Sequence, residues 1–178
     1  LSSNPKDTKF ITKTKKGKMS KRYYNTIDPS VICEKYGADT LRCYEMFLGP
    51  LTDHKPWSIK GISGVSNFLK KLWSLYFIDG KFSVNENKAT EQELKILHKT
   101  IKKINEDLDR YSFNTIVSSL MISVNELKSI NCKNKQILSD FLILVSPYAP
   151  HIAEEIWSKL GNMSSITKAN WPKFNKEF

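Results

Sequence analysis

Thr90-Glu91-Gln92-Glu93-Leu94-Lys95-Ile96-Leu97-His98-Lys99-Thr100-Ile101-Lys102-Lys103-Ile104-Asn105-Glu106-Asp107-Leu108-Asp109-Arg110-Tyr111 carries the period that decides the fold. Leu94, Leu97, Ile101, Ile104, Leu108 and Tyr111 step by three and four, which puts them on one stripe of a helix. Thr90 and Glu93 make a capping box at its start, each side chain satisfying a backbone N–H that the helix itself leaves unpaired. A lone helix of this kind is marginal in water, so the stripe needs partners.

Partners lie on both sides. Upstream, Val65, Phe68, Leu69, Leu72, Trp73 and Tyr76 share a face, with Asn67, Lys70, Lys71 and Ser74 opposite. Asp79-Gly80 is expected to close that helix, with a polar loop running to Ala89. Downstream, Phe113, Ile116, Val117, Leu120, Met121, Val124 and Leu127 form a further stripe. Ile137, Leu138, Phe141, Leu142 and Val145 form another, ending near Ser146-Pro147. Pro150 opens a last helix with Ile152, Ile156, Trp157 and Leu160, stopped by Gly161. Amphipathic helices of this kind, joined by loops of a few to a dozen residues, predict an all-α, antiparallel helical bundle. Burial of the stripes against one another supplies its stability, at roughly 25 cal/mol per Å² of apolar surface.

Ahead of the bundle the chain changes character. Asp28-Pro29 signals a helix start, with Asp as cap and Pro tolerated in the first turn, and Gly37 a stop. A second short helix is expected from Ala38 to about Leu48, ended by Gly49-Pro50, and residues 51–60 read as a loop containing Pro56-Trp57. Residues 1–25 lack helical periodicity. Phe10, Ile11 and the alternation near Thr12 to Thr14 support a short strand, and Gly17 opens a flexible loop. The chain divides as 1–60, a loop and junction segment; 61–162, the bundle; and 163–178, a tail.

Of 178 residues, 40% are hydrophobic and 11% aromatic, enough to bury a core. No apolar run is long enough to cross a bilayer, nothing resembles a signal peptide, and no membrane partner is expected. The chain starts Leu-Ser-Ser rather than Met, so it is expected to begin mid-protein. Cys33, Cys43 and Cys132 are odd in number and widely spaced, against a disulfide framework or zinc knuckle; each reads as a small buried hydrophobe in a reducing compartment. His54, His98 and His151 are too scattered for metal ligation, and no metal site is expected. The net charge is +10. Residues 1–25 hold eight basic side chains against Asp7 alone, leaving 20 basic and 17 acidic residues, a net of +3, in the remainder. An intensely basic segment on a nearly balanced body suits polyphosphate or nucleic acid; the alternative is a solvated basic arm.

Within that basic segment stand Gly17 and Lys18-Met19-Ser20-Lys21, in the loop before Asp28-Pro29. The tetrapeptide resembles the KMSKS signature of class I aminoacyl-tRNA synthetases. Lys18 through Asn25, Asp28-Pro29 and Glu34 through Arg42 resemble the run after that signature in the leucyl, isoleucyl and valyl enzymes. Tyr44 through Leu51, Lys55-Pro56-Trp57, Ser112 through Thr115 and Pro147 through Trp157 resemble the leucyl enzymes of bacterial type. The resemblance runs from Gly17 to Pro172. One position departs: the signature usually ends in Ser, and residue 22 is Arg. Both lysines remain, so the main electrostatic role is kept.

The resemblance implies a part of a leucyl-tRNA synthetase, which activates leucine with ATP and Mg2+ and transfers it to tRNA(Leu) in the cytoplasm. Lys18 and Lys21 would be the catalytic groups. Lys18, Met19, Ser20 and Lys21 would form the ATP-binding loop, closing ammonium groups over the phosphates as charge builds on departing pyrophosphate. The bundle would be the family's anticodon-binding domain; for leucine the anticodon is generally not read, so backbone contacts and shape should dominate. Arg42, Lys70, Lys71, Lys99, Lys102 and Lys103 are candidate contacts to RNA phosphates. Otherwise the lysines are solvated helix faces, and Arg42 pairs with Asp39 at i, i+3. Trp57, Trp73 and Trp157 read as core or junction packing rather than base-stacking platforms. No HIGH motif, nucleotide-binding core or editing domain is present; His151 sits in Pro-His-Ile-Ala on the last helix, a different context. The part alone is expected to be a monomer, to be inactive, to bind no cofactor, and to have residues before Asp28 mobile without the nucleotide-binding domain they would dock against. The second reading is a non-catalytic RNA-binding helical module whose lysine loop only contacts phosphates.

Overall fold

The computed structural model describes residues 17–178. The strand expected near Phe10 and most of the basic segment lie outside the described residues. Among the described residues seven α-helices are found in order: α1 Pro29–Tyr36, α2 Ala38–Phe47, α3 Ile62–Tyr76, α4 Glu91–Asp109, α5 Phe113–Ser129, α6 Lys135–Val145 and α7 Pro150–Lys159. A two-stranded hairpin, β1 Phe77–Ile78 and β2 Lys81–Phe82, lies between α3 and α4. Short 3-10 turns occupy Lys21–Tyr23 and Ile166–Lys168. The architecture is all-α, as the periodicity predicts.

Local signals act where the sequence places them. The Asp28 side chain accepts the Ser30 N–H with Pro29 in the first turn of α1. Thr90 and Glu93 form both halves of the capping box on α4. Asn134 caps α6 by accepting the Ile137 N–H at 2.9 Å. Its amide also bonds the Asn87 carbonyl, and Asn85 pairs with Lys133 and Lys135 through backbone bonds of 2.8 Å. The loop before α4 is thereby tied to the turn before α6.

Three expectations are corrected. The α3 helix stops at Tyr76 rather than Asp79. Asp79 and Gly80 both take positive φ, 50° and 74°, as a two-residue type I′ hairpin turn requires. The loop expected there is a hairpin, with Phe77 facing Phe82 across it. Trp73, expected on the buried stripe, is 37% exposed and instead stacks on Phe77, ring centroids 4.2 Å apart; Leu75 and Ile62 are buried residues of α3 that the stripe leaves out. Tyr111 is 70% exposed, because α4 ends at Asp109 and Tyr111 takes a left-handed conformation in the turn to α5.

One continuous core joins all seven helices. The α4 and α5 helices form the central hairpin, and their approach includes a buried contact between the Thr100 and Ser123 hydroxyls at 2.6 Å. Each hydroxyl also reaches a carbonyl one turn earlier, so neither is stranded. The α2 helix packs against α3, α5 and α7, and its Cys43 and Tyr44 belong to the same core as the bundle. Cys43 and Cys132 are buried, and burial pushes both thiols up to about 12. Tyr76 is fully buried and donates to the Leu138 carbonyl at 2.8 Å.

Candidate functional site

The Lys18–Lys21 loop is shaped by its own short-range bonds. Ser20 donates its N–H to Asn25 Oδ1 at 2.8 Å, and Asn25 returns an Nδ2 bond to the Lys18 carbonyl at 3.5 Å. The Ser20 hydroxyl accepts the Arg22 N–H and caps the Lys21–Tyr23 turn, which Tyr24 closes at φ 52°. Asn25 therefore clasps the loop across its mouth. Lys18, Met19, Lys21 and Arg22 are exposed, and neither lysine forms an ion pair among the described residues. Two free ammonium groups on a pinned backbone can meet an anion without first breaking an ion pair.

The next constellation joins α2 to α7. Ala149, at the N-cap of α7, offers no side-chain cap. Asp39, only 8% exposed, supplies it from a distant point in the chain. One carboxylate oxygen accepts the Ile152 N–H at 2.7 Å; the other accepts the His151 N–H at 3.3 Å and the His151 Nδ1–H at 2.7 Å. A carboxylate at a helix N-terminus is favoured both by these donors and by the helix dipole. Arg42 donates to the Pro147 carbonyl at 3.1 Å, and the Cys43 thiol lies 3.5 Å from the Tyr148 carbonyl. The expected Asp39–Arg42 pair is thus replaced: both side chains reach across to the 147–152 turn. Sequence reasoning misses the role of Asp39 because its partners are 112 and 113 positions away, and no local pattern marks them.

The candidate RNA-facing cations separate into two sets. On α4, Lys99 pairs with Glu126 at 3.2 Å and Lys103 with the buried Asp107 at 2.7 Å. Lys102 stands 5.8 Å over the Phe174 ring. These three line a groove of about 560 Å³ between α4 and α5, flanked by Phe174 and Phe178 of the final segment. That segment is anchored on α4: Trp171 donates to Asn105 at 2.9 Å, the Asn175 N–H bonds His98 Nδ1 at 3.2 Å, and Phe178 stacks on His98. On α3, Lys70 is exposed and Lys71 donates to Asn125 Oδ1 at 2.9 Å. Arg42 belongs to neither set. Trp57 packs edge-on against Tyr44, and Trp157 donates to the Ser164 carbonyl, so both serve packing.

Among the described residues no group of three or more His, Cys, Asp or Glu side chains could hold a metal, and no helix is long and apolar enough to cross a membrane.

A family model described as the anticodon-binding domain of tRNA ligase matches residues 93–178. The chain is 54% identical over 172 residues to a leucine–tRNA ligase of Christiangramia forsetii, a match covering 97% of this chain and 18% of that protein. With the leucine–tRNA ligase of Flavobacterium johnsoniae it shares 58% identity over 167 residues, 94% of this chain and 18% of that one. The chain therefore spans under a fifth of the length of these relatives. Among solved structures, a leucyl-tRNA synthetase of Agrobacterium radiobacter, crystallised in a ternary complex with tRNA and LeuAMS, matches with a TM-score of 0.74 at 27% identity, covering 89% of this chain and 22% of that one.

Proposed function

We propose that this chain is part of a leucine–tRNA ligase, as its similarity to such enzymes supports, and that the whole enzyme activates leucine with ATP and transfers it to tRNA(Leu), in the cytoplasm and as a monomer. Within that enzyme, residues 1–60 carry the ATP-phosphate loop and the junction to a nucleotide-binding domain, residues 61–162 bind tRNA, and 163–178 lead onward. Mg2+ would arrive with ATP. Lys18 and Lys21 stabilise the charge that develops as pyrophosphate leaves, and Met19 and Ser20 hold the loop between them. The observation that carries this reading is the loop itself: two exposed lysines, without an ion-pair partner among the described residues, on a backbone pinned by Asn25 and Ser20.

The test is Lys21→Ala in the full-length enzyme. Leucine-dependent pyrophosphate exchange should slow by roughly 10²–10³-fold, as removal of one preorganised donor does elsewhere. Leucine binding should barely change, and transfer from preformed leucyl-adenylate should lose less, since pyrophosphate has already gone. Equal losses in both steps would count against the role and point to misfolding of the loop, whereas unchanged pyrophosphate exchange would favour the non-catalytic RNA-binding reading.

A further inference from the structure

The charge balance of the two lysine faces differs, and the difference selects one of them. The α4 cations are largely spoken for: Lys95 pairs with Glu91, Lys99 with Glu126 and Lys103 with Asp107, while Lys102 sits over Phe174. On the opposite flank of α5, three ammonium groups are fixed by neutral acceptors only. Lys71 donates to Asn125 Oδ1 at 2.9 Å, Lys128 to Ser74 Oγ at 2.9 Å, and Lys133 to the Leu75 carbonyl at 2.7 Å. None of the three forms an ion pair among the described residues. Ser74 links them further, donating its own hydroxyl to the Lys71 carbonyl.

Lys128 and Lys133 line a cleft of about 360 Å³, together with Ser74, Phe77, Asp79 and Asn131. Its walls are the end of α3, the β1–β2 turn and the α5–α6 connection. Asp79 is the one acid of the lining, so the lining keeps a net positive charge. Burial draws the Lys133 ammonium below its usual range, the nearby thiol of Cys132 opposes this, and the charge of Lys128 adds to it. Two like charges held close at a partly dry cleft form an arrangement that an anion relieves. Neutral acceptors orient an ammonium without cancelling its charge, whereas a carboxylate partner must be displaced before a phosphate can enter.

We propose that the cleft lined by Lys128 and Lys133, with Lys71 on the same flank one turn before Ser74, is a phosphate site for the RNA backbone, and that the α4 lysines contribute little to RNA affinity. The proposal rests on the tRNA-binding role of the bundle and names the face that performs it.

The experiment uses full-length protein and unmodified tRNA(Leu) transcript, titrated at several salt concentrations. One variant combines Lys71→Gln, Lys128→Gln and Lys133→Gln; a second combines Lys99→Gln, Lys102→Gln and Lys103→Gln. Each lost phosphate contact should flatten the slope of log affinity against log salt by roughly 0.7–0.9. The cleft variant should therefore lose about two units of slope, and the α4 variant less than one. If the loss of Lys133 from the Leu75 carbonyl lowers the melting temperature, Lys71→Gln with Lys128→Gln is used instead, and Lys128→Arg should retain binding. A cleft variant with the wild-type slope, or a loss confined to the α4 variant, overturns the assignment. So does loss of inorganic tripolyphosphate binding with tRNA binding intact, which would mark a small-anion site. Absence of tRNA binding by the wild-type enzyme would instead strike at the proposed function.

Discussion

Asn25 is the residue on which the Lys18–Lys21 loop closes. Its side chain both accepts from Ser20 and donates toward Lys18, so a single amide joins the two ends of the lysine pair's backbone. Asn25→Ala should speed hydrogen exchange at Ser20 and, in the proposed full-length ligase, slow leucine activation by roughly 2- to 10-fold, the range of one or two net hydrogen bonds. Asn25→Asp keeps the acceptor and loses the donor, and should restore Ser20 protection. Unchanged Ser20 exchange in Asn25→Ala would show that the clasp does not hold the loop. Arg22, by contrast, bonds to the loop only through its backbone N–H. Arg22→Ser preserves that bond and should leave pyrophosphate exchange within about tenfold of wild type. The lysines of this loop are legible in the sequence because four adjacent residues carry them. Asn25 stands in the same run, yet its clasp is not legible there, since asparagine near a loop has many uses and only geometry selects one.

At the scale of elements, the helix ends show where sequence reading stops. Asp28, Thr90 with Glu93, and the stops at Gly37 and Gly161 all lie within a few residues of the turns they terminate, and each is legible. The hairpin is signalled too: Asp79-Gly80 is the residue pair that a type I′ turn demands. In the sequence it reads as a helix stop because the flanking strands are only two residues each, too short for a period of two to register. Trp73 is misplaced for another reason. A helical stripe is about 100° or more wide, and the pattern alone does not say which edge of it meets solvent. The α7 cap leaves no trace in the sequence, because Asp39 finds its donors only after folding. Asp39→Ala leaves the His151 and Ile152 amides without their acceptor. It should cost roughly 1–3 kcal/mol, the penalty for unsatisfied buried donors, and should selectively speed exchange at those two amides. Protection that stays level across α7 would refute this.

Across the whole molecule, the final segment is coupled to pH through His98. The Asn175 N–H requires an unprotonated Nδ1, and a protonated imidazole has none to offer. Burial lowers the His98 pKa, with Asp140 opposing; Asp140 is itself raised by burial, with Gln136 and His98 opposing. A histidine whose folded pKa is depressed adds stability that is present above its unfolded value, near 6.5, and lost as pH falls through the folded one. Asp140, raised in the fold, stabilises at low pH and loses that contribution as pH rises through its folded pKa. Between pH 7 and 5 the histidine should therefore weaken docking of residues 171–178. Trp171, which reports on that segment through Asn105, should change its fluorescence with a midpoint below 6.5. His98→Phe keeps an aromatic face against Phe178 and should remove the transition; persistence in that variant would assign it elsewhere. The two short helices ahead of the bundle have a different bearing on the whole. Asp39, Arg42 and Cys43 all hold the turn into α7, and Tyr44 fills the core beside Trp57. A cut at residue 61 looks like a clean seam along the chain but runs through the keystone in space: it would open the interior at α7 instead of freeing a finished unit.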